Sequence, residues 1–428
     1  MADGVPRGSF WTRRRALIGG GAVVALGAGV LAARKADHGG AHDDYFVGLS
    51  TALKAAGIAQ PTMVIDEQRL DHNIATIRSA VGGAKLPLRI VVKSLPSPQL
   101  LARISNGIGT KRFMVFNGPM LTEMVQQVPD GDFLVGKPLP AVLVRQLFGA
   151  IGPQALANVQ WLVDTPARIA DYADIARAHQ TRMKLSFEID VGLHRGGFGD
   201  AASLTAALHF AQDAAVFTIA GLMGYDAQVA KMSDIGAAYA ESQLSYRNAR
   251  TALHAAFPAP ATQFTLNGAG SYTFMRHTHG TIANEVSVGS AFIKPSDWDI
   301  ADNIALNAAA FIATPVIKAG SEMRLPGHEY LDAPLRFFDP NSAQAIYIYG
   351  GHWLADPVSP PGLEYSDLIG RSSNQELLTG SARVQLKPDD YVFLRPHQSE
   401  AVLLQFGDLA VYDGEKITAR WPTFSISA

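Results

Sequence analysis

The 428-residue chain is 48% hydrophobic, with 40 glycines and 24 prolines, enough for one large domain and a smaller one, each with its own core. A formal net charge of −2 gives no basis for a nucleic acid or other polyanionic partner. The absence of cysteine excludes disulfides, thiolate metal sites and cysteine nucleophiles.

Residues 1–45 read as a signal or membrane-anchor segment rather than as fold. Arg13-Arg14-Arg15 precede an uncharged, Gly/Ala-rich run from Ala16 to Ala33, and Arg34-Lys35 follow it. That pattern resembles a twin-arginine export signal, which places the protein in the periplasm. Left uncleaved, residues 16–33 would anchor the chain in the inner membrane, facing the periplasm. They are about 27 Å long at roughly 1.5 Å per helical residue.

Thr62–Asp66 predicts a short strand, and Glu67–Ser79 a helix with Leu70, Ile74 and Ile77 on one face. Apolar strands follow at Leu88–Val92, Arg112–Phe116, Asp132–Val135, Val159–Val163, Lys184–Asp190, Thr218–Met223, Gln263–Leu266 and Ile282–Val288. Amphipathic stretches such as Pro166–His179 and Leu204–Ala214 separate them. The alternation predicts an α/β fold, a (β/α)8 TIM-type barrel over residues 46–305. A doubly wound open sheet is the alternative. The barrel is preferred because chemically suggestive residues close several different strands, not one crossover point. Beyond Ala310, short β-rich runs divided by turns such as Lys387-Pro388-Asp389-Asp390 and Asp413-Gly414 predict a mainly antiparallel β domain over 306–428.

Lys93 ends the run Leu88-Arg89-Ile90-Val91-Val92, where its amine can stand over a barrel mouth and form a Schiff base. The strand Phe187-Glu188-Ile189-Asp190 leads into a glycine-bracketed His194-Arg195 pair. There Arg195 either ties down a loop or approaches an aromatic nitrogen or an anion, with carboxylates behind it. Tyr225, after Gly221-Leu222-Met223-Gly224, is either a pocket wall or packing under a loop. Asn267-Gly268-Ala269-Gly270-Ser271 follows the seventh strand, and its small residues and hydroxyl can cradle a phosphate. A lysine for an aldehyde, a partner for a ring nitrogen, a ring wall and a phosphate cup together point to pyridoxal 5'-phosphate.

On these residues the chain resembles the fold-type III pyridoxal phosphate enzymes with an alanine-racemase-like N-terminal barrel. Within them it is similar to D-threonine aldolase and metal-dependent D-serine dehydratase. The resemblance spans Pro61 to Trp421. It is carried by Pro61-Thr62-Met63-Val64-Ile65-Asp66 with Asn73, by the Lys93 strand, by Glu188 to Gly197, by Asn267 to Ser271, and by Glu285 with Gly289. It implies that Lys93 bears the cofactor, that Arg195 and Tyr225 sit around its ring, and that Gly268, Gly270 and Ser271 surround its phosphate, with Asn267 also in contact. It further implies a homodimer and a small D-amino acid as substrate. The expected reaction is lyase cleavage of a D-3-hydroxy amino acid to glycine and an aldehyde. Dehydration of D-serine or D-threonine, racemisation and non-catalytic cofactor binding are the alternatives.

The chain also departs from that family. The form R-P-H-x-K-T-H becomes Arg89-Ile90-Val91-Val92-Lys93-Ser94-Leu95, so both histidines are lost. The family's divalent metal (Mn, Mg or Zn) is held by a histidine and a Cys or Asp two residues later. This chain has His397 with Ser399, a poor neutral ligand. The E-E-H-G stretch becomes Asn374-Gln375-Glu376, and Gly350-Gly351 is followed by His352. His352 and His397 are then the candidate bases for the β-hydroxyl proton, by residue type. His352 could equally be a satisfied polar group.

Overall fold

The structure, a computed structural model, describes residues 34–258, 263–366, 369–400 and 402–425. It begins with a helix, Asp44–Ala55, and strand β1, Thr62–Asp66. Eight strands then close a barrel: β2 (Leu88–Val91), β3 (Arg112–Val115), β4 (Asp132–Val135), β5 (Val159–Val163), β6 (Met183–Glu188), β7 (Phe217–Met223), β8 (Thr265–Gly268) and β9 (Glu285–Val288). All neighbours pair in parallel, and β9 returns to β2.

These short runs form strands because both of their faces are buried. Along β2, Leu88 and Ile90 join the apolar layer shared with the outer helices, while Arg89 and Val91 belong to inner groups. The intervening helices start where an Asx or Thr side chain accepts a backbone N–H of the first turn. Asp66 does so for Glu67–Gly83, Asn117 for Gly118–Gln127, Thr165 for Pro166–Ala178 and Asp200 for Ala201–Asp213. Each cap contributes about 1 kcal/mol.

Two inner groups of side chains fill the barrel. Val91, Met114, Leu134, Leu162 and Met223 form a small apolar cluster against which Phe116 and Tyr225 pack. The other group is polar and centred on Arg89, which is fully buried. Its guanidinium meets Glu285 at 2.6 Å and Asp132 at 3.1 Å. Arg112 and Asn267 also donate to Glu285, each at 2.7 Å. Gln160 bridges Asp132 to Ser186. Charges taken this far from water are tolerable only when each has such partners.

The second domain is a nine-stranded sheet. It comprises β1, β10 (Ala310–Glu322), β11 (Gln344–Tyr349), β12 (Ala355–Ser359), β13 (Glu364–Tyr365), β14 (Gln375–Gly380), β15 (Tyr391–Pro396), β16 (Asp408–Tyr412) and β17 (Ile417–Pro422). The main path runs β13-β14-β11-β10-β1-β16-β17, with β15 joining β10 to β12. Every pairing is antiparallel except β1 with β16.

Three expectations change here. The helix Asp44–Ala55 buries Phe46, Leu49 and Leu53 against Phe311, Phe393 and Tyr412 of the second sheet, and β1 is a strand of that sheet. Residues 46–66 therefore belong structurally with the β domain, not the barrel. Not all of the β-rich runs expected beyond Ala310 are strands: β14 ends at Gly380, and Leu403–Phe406 is a single 3-10 turn. The membrane-anchor expectation is withdrawn. Among the described residues no helix is long and apolar enough to cross a membrane, and residues 16–33 themselves lie outside the described residues.

Candidate active site

A cavity opens at the carboxyl ends of the barrel strands, between the barrel and the segment that follows β15. β2 stops at Val91, and Val92–Ser94 form a single 3-10 turn that lifts Lys93 into this cavity. The Lys93 amine lies 4.6 Å from the centre of the Phe116 ring and 3.7 Å from Glu400 Oε1. Close approach here depends on Gly289. A Cβ at that position would lie 2.8 Å from both Val91 Cβ and Ser94 Oγ, so only glycine lets the end of β9 pass the Lys93 turn.

Tyr225 follows β7 and Arg195 follows β6. The Arg195 guanidinium lies 5.1 Å from the centre of the Tyr225 ring and 3.9 Å from Glu188 Oε1. Burial pushes the Glu188 carboxyl above its ordinary value, against the opposing pull of Arg195. Burial likewise pushes the Tyr225 phenol up to about 12. Asp190 accepts the backbone N–H of Gly192 and of His194 and pairs with the His194 ring at 2.7 Å. That pairing shapes the loop that presents Arg195.

The turn after β8 forms the third side. Ser271 Oγ accepts N–H groups from Gly289 and Ala291, both at 3.1 Å, which leaves its own hydrogen free to donate. Behind the turn, Asp226 accepts from Thr273 at 2.6 Å and pairs with the buried His277 ring at 2.8 Å. A Cβ on Gly270 would come within 2.4 Å of the Tyr225 ring, so the turn and the ring close on each other only with glycine there. Asn267, fixed by Glu285 and Ser287, also lines the cavity. Gly268 does not. It packs below, against Ala283 and His277.

These residues fit pyridoxal phosphate. An amine is available for its aldehyde, a guanidinium and a phenol flank the space for its ring, and a hydroxyl with a small-residue turn suits its phosphate. The buried Trp298 indole N–H, on the same cavity, has no hydrogen-bond partner among the described residues.

The histidines expected to serve as bases are elsewhere. His352 is exposed, on a turn with φ of 58°, and its backbone N–H donates to Glu376. His397 Nε2 faces Asp356 Oδ2 at 2.8 Å, and neither histidine lines the cavity. Among the described residues no group of three or more His, Asp or Glu side chains is arranged to hold a metal ion. Ser399, which replaces the family's second metal ligand, is buried 2.8 Å from Ser290 Oγ and donates to Glu400 at 3.1 Å. Sequence reasoning missed Glu400, the one carboxylate among the described residues lining the cavity. Its only sequence signal is that it follows the altered metal-pair position.

Among solved structures, D-threonine aldolase from Filomicrobium marinum is 16% identical, covering 85% of this chain and 96% of its own, with a TM-score of 0.70. D-threo-3-hydroxyaspartate dehydratase from Delftia sp. HT23 is also 16% identical, covering 85% and 97%, with a TM-score of 0.66. Alanine racemase from Bacillus anthracis is 12% identical, covering 85% and 98%, with a TM-score of 0.65. No curated protein matches the sequence. The family described as "Alanine racemase, N-terminal domain" matches residues 65–296, more than half of the 428. The chain belongs to this family and, with it, to the fold-type III pyridoxal phosphate enzymes.

Proposed function

We propose that this protein is a pyridoxal-phosphate-dependent lyase that cleaves D-3-hydroxy amino acids to glycine and an aldehyde. The observation that carries the reading is the convergence of Lys93, Arg195, Tyr225 and the Ser271 turn on one cavity. When bound, the cofactor supplies an electron-accepting ring against which a bond at the substrate's Cα can be broken. Lys93 would hold the cofactor's aldehyde end through its amine, which stands in the cavity where it can also carry a proton. Ser271 would hold the phosphate through its hydroxyl hydrogen, and Gly270 would allow the close approach. Arg195 would partner the ring nitrogen, and Tyr225 would flank the ring. The apolar cluster of Val91, Met114, Leu134, Leu162 and Met223 keeps water out from below. The likeness to D-threonine aldolase and D-threo-3-hydroxyaspartate dehydratase supports a D-hydroxy amino acid as substrate.

Purified protein loaded with pyridoxal phosphate should absorb near the edge of the visible range, and D-threonine should release glycine and acetaldehyde. Turnover of D-serine alone, to pyruvate and ammonia, would replace cleavage with dehydration. The absence of any such band in cofactor-saturated protein would overturn the assignment. We further propose that the N-terminal arginines direct export to the periplasm. Recovery of the native protein only from soluble cytoplasm would oppose this.

A further inference from the structure

We propose that Glu400 is the catalytic base that takes the proton of the substrate's β-hydroxyl, in a reaction that uses no metal ion. This rests on the lyase reading above and names the residue that reading leaves unassigned. Glu400 comes from the segment after β15 and lines the cavity beside the Lys93 turn. Each of its carboxylate oxygens is held by one hydroxyl. Ser94 donates to Oε1 at 2.7 Å and Ser399 to Oε2 at 3.1 Å. Ser290 lies 2.8 Å from Ser399 and completes a chain of hydroxyls behind it. One donor per oxygen fixes the carboxylate while leaving each oxygen further lone pairs for a proton from the cavity.

Among the described residues lining the cavity, Lys93 is assigned to the proton at Cα, and the remaining candidates are unsuited. His352 and His397 lie off the cavity, and Arg195 cannot act as a base. The Tyr225 phenol gives up its proton too reluctantly at neutral pH.

The proton count closes on the same pair of residues. As the Cα–Cβ bond breaks, the β-hydroxyl O–H electron pair becomes the second bond of the aldehyde C=O, and the Cα–Cβ pair stays with Cα. The hydroxyl proton passes to Glu400. Lys93, whose Nζ is 3.7 Å from Glu400 Oε1, returns a proton to Cα to complete glycine and is recharged from Glu400. No oxidant or reductant is consumed.

The test uses cofactor-loaded full-length protein. Glu400→Gln keeps an acceptor for the surrounding hydroxyls but not the basicity. It should lower D-threonine cleavage by roughly 10²- to 10⁴-fold while changing pyridoxal phosphate affinity far less, since Lys93, Arg195, Tyr225 and the Ser271 turn are all retained. A chelator should leave wild-type turnover unchanged. A binding readout is independent of turnover. In rapid-mixing titrations, wild type should bind D-threonine roughly ten- to hundredfold more tightly than D-2-aminobutyrate, which lacks the hydroxyl. That ratio should collapse in Glu400→Ala. Full turnover in Glu400→Gln, an unchanged ratio in Glu400→Ala, or loss of wild-type turnover to chelator with recovery on adding Mn²⁺ would each overturn the proposal. A wild type that binds cofactor but treats both ligands alike refutes the role of Glu400 alone. A wild type that binds no cofactor refutes the lyase reading as well.

Discussion

Replacing Glu285 by glutamine tests whether the polar layer of the barrel is what holds the site floor. The fully buried Glu285 carboxylate accepts four hydrogen bonds: Arg89 Nε at 2.6 Å, Arg89 Nη2 at 3.1 Å, Arg112 at 2.7 Å and Asn267 at 2.7 Å. A glutamine offers one oxygen, so its amide group must face two donors. Two bonds are lost, at about 1.5–3 kcal/mol each where a charged group is involved. Arg89, with no exposure, is left with Asp132 as its remaining countercharge. About 3–5 kcal/mol of destabilisation follows, the range for breaking a buried ion pair. That is a large share of the roughly 5–15 kcal/mol that usually separates folded from unfolded protein. Urea unfolding followed by circular dichroism measures it. The exposed pair Arg103–Asp71 serves as a control, and Arg103→Ala should cost about 1 kcal/mol or less. A Glu285→Gln variant within about 1 kcal/mol of wild type would refute the reasoning, because the lost bonds alone exceed that.

Other outcomes follow from the same geometry. Gly270→Ala should weaken pyridoxal phosphate binding at least tenfold, roughly the worth of one displaced contact, because its Cβ meets the Tyr225 ring at 2.4 Å. Equilibrium titration of the apoprotein checks this, and unchanged affinity would show that the ring yields freely. His352→Ala and His397→Ala should each keep turnover within about threefold of wild type, since a true base contributes roughly 10²-fold or more and neither residue lines the cavity. Steady-state rates decide the point. Burial opposes ionisation of Asp132, yet Arg89 beside it holds the carboxyl below its ordinary value. Its ionised form therefore stabilises the fold above an unfolded value of roughly 3.9, and that contribution fades as pH falls through the lower folded value. Urea midpoints should drop less steeply on this acid limb in Asp132→Asn than in wild type, and equal slopes would contradict the account.

The barrel was legible because its strands are buried on both faces and read as short apolar runs between capped helices. β1 looks the same in sequence, and nothing local tells that Thr62–Asp66 pairs with β10 and β16 rather than within the barrel. Its neighbours in space come from more than 240 residues away, as in the pairing of Thr62 with Ala313. β12 was not read because Asp356 and Pro357 interrupt any apolar alternation. Strand β8 runs two residues later than expected, which carries Asn267 and Gly268 into the strand and leaves the cup to Ala269, Gly270 and Ser271. Lys93, Arg195, Tyr225 and Ser271 could be found because each follows a barrel strand, where the fold itself places chemistry. His352 and His397 attracted attention by residue type alone, and tertiary placement set them aside. Glu400 could not be found this way, since Ser94, which orients it, lies 306 residues away in the chain.

The central claim is that Lys93 carries the cofactor. Borohydride reduction of pyridoxal-phosphate-loaded protein, followed by proteolysis and mass spectrometry, tests it most directly. One reduced cofactor should be found on the peptide containing Lys93, and none in Lys93→Ala. Label on any other lysine, or equal labelling of wild type and Lys93→Ala, would contradict the account.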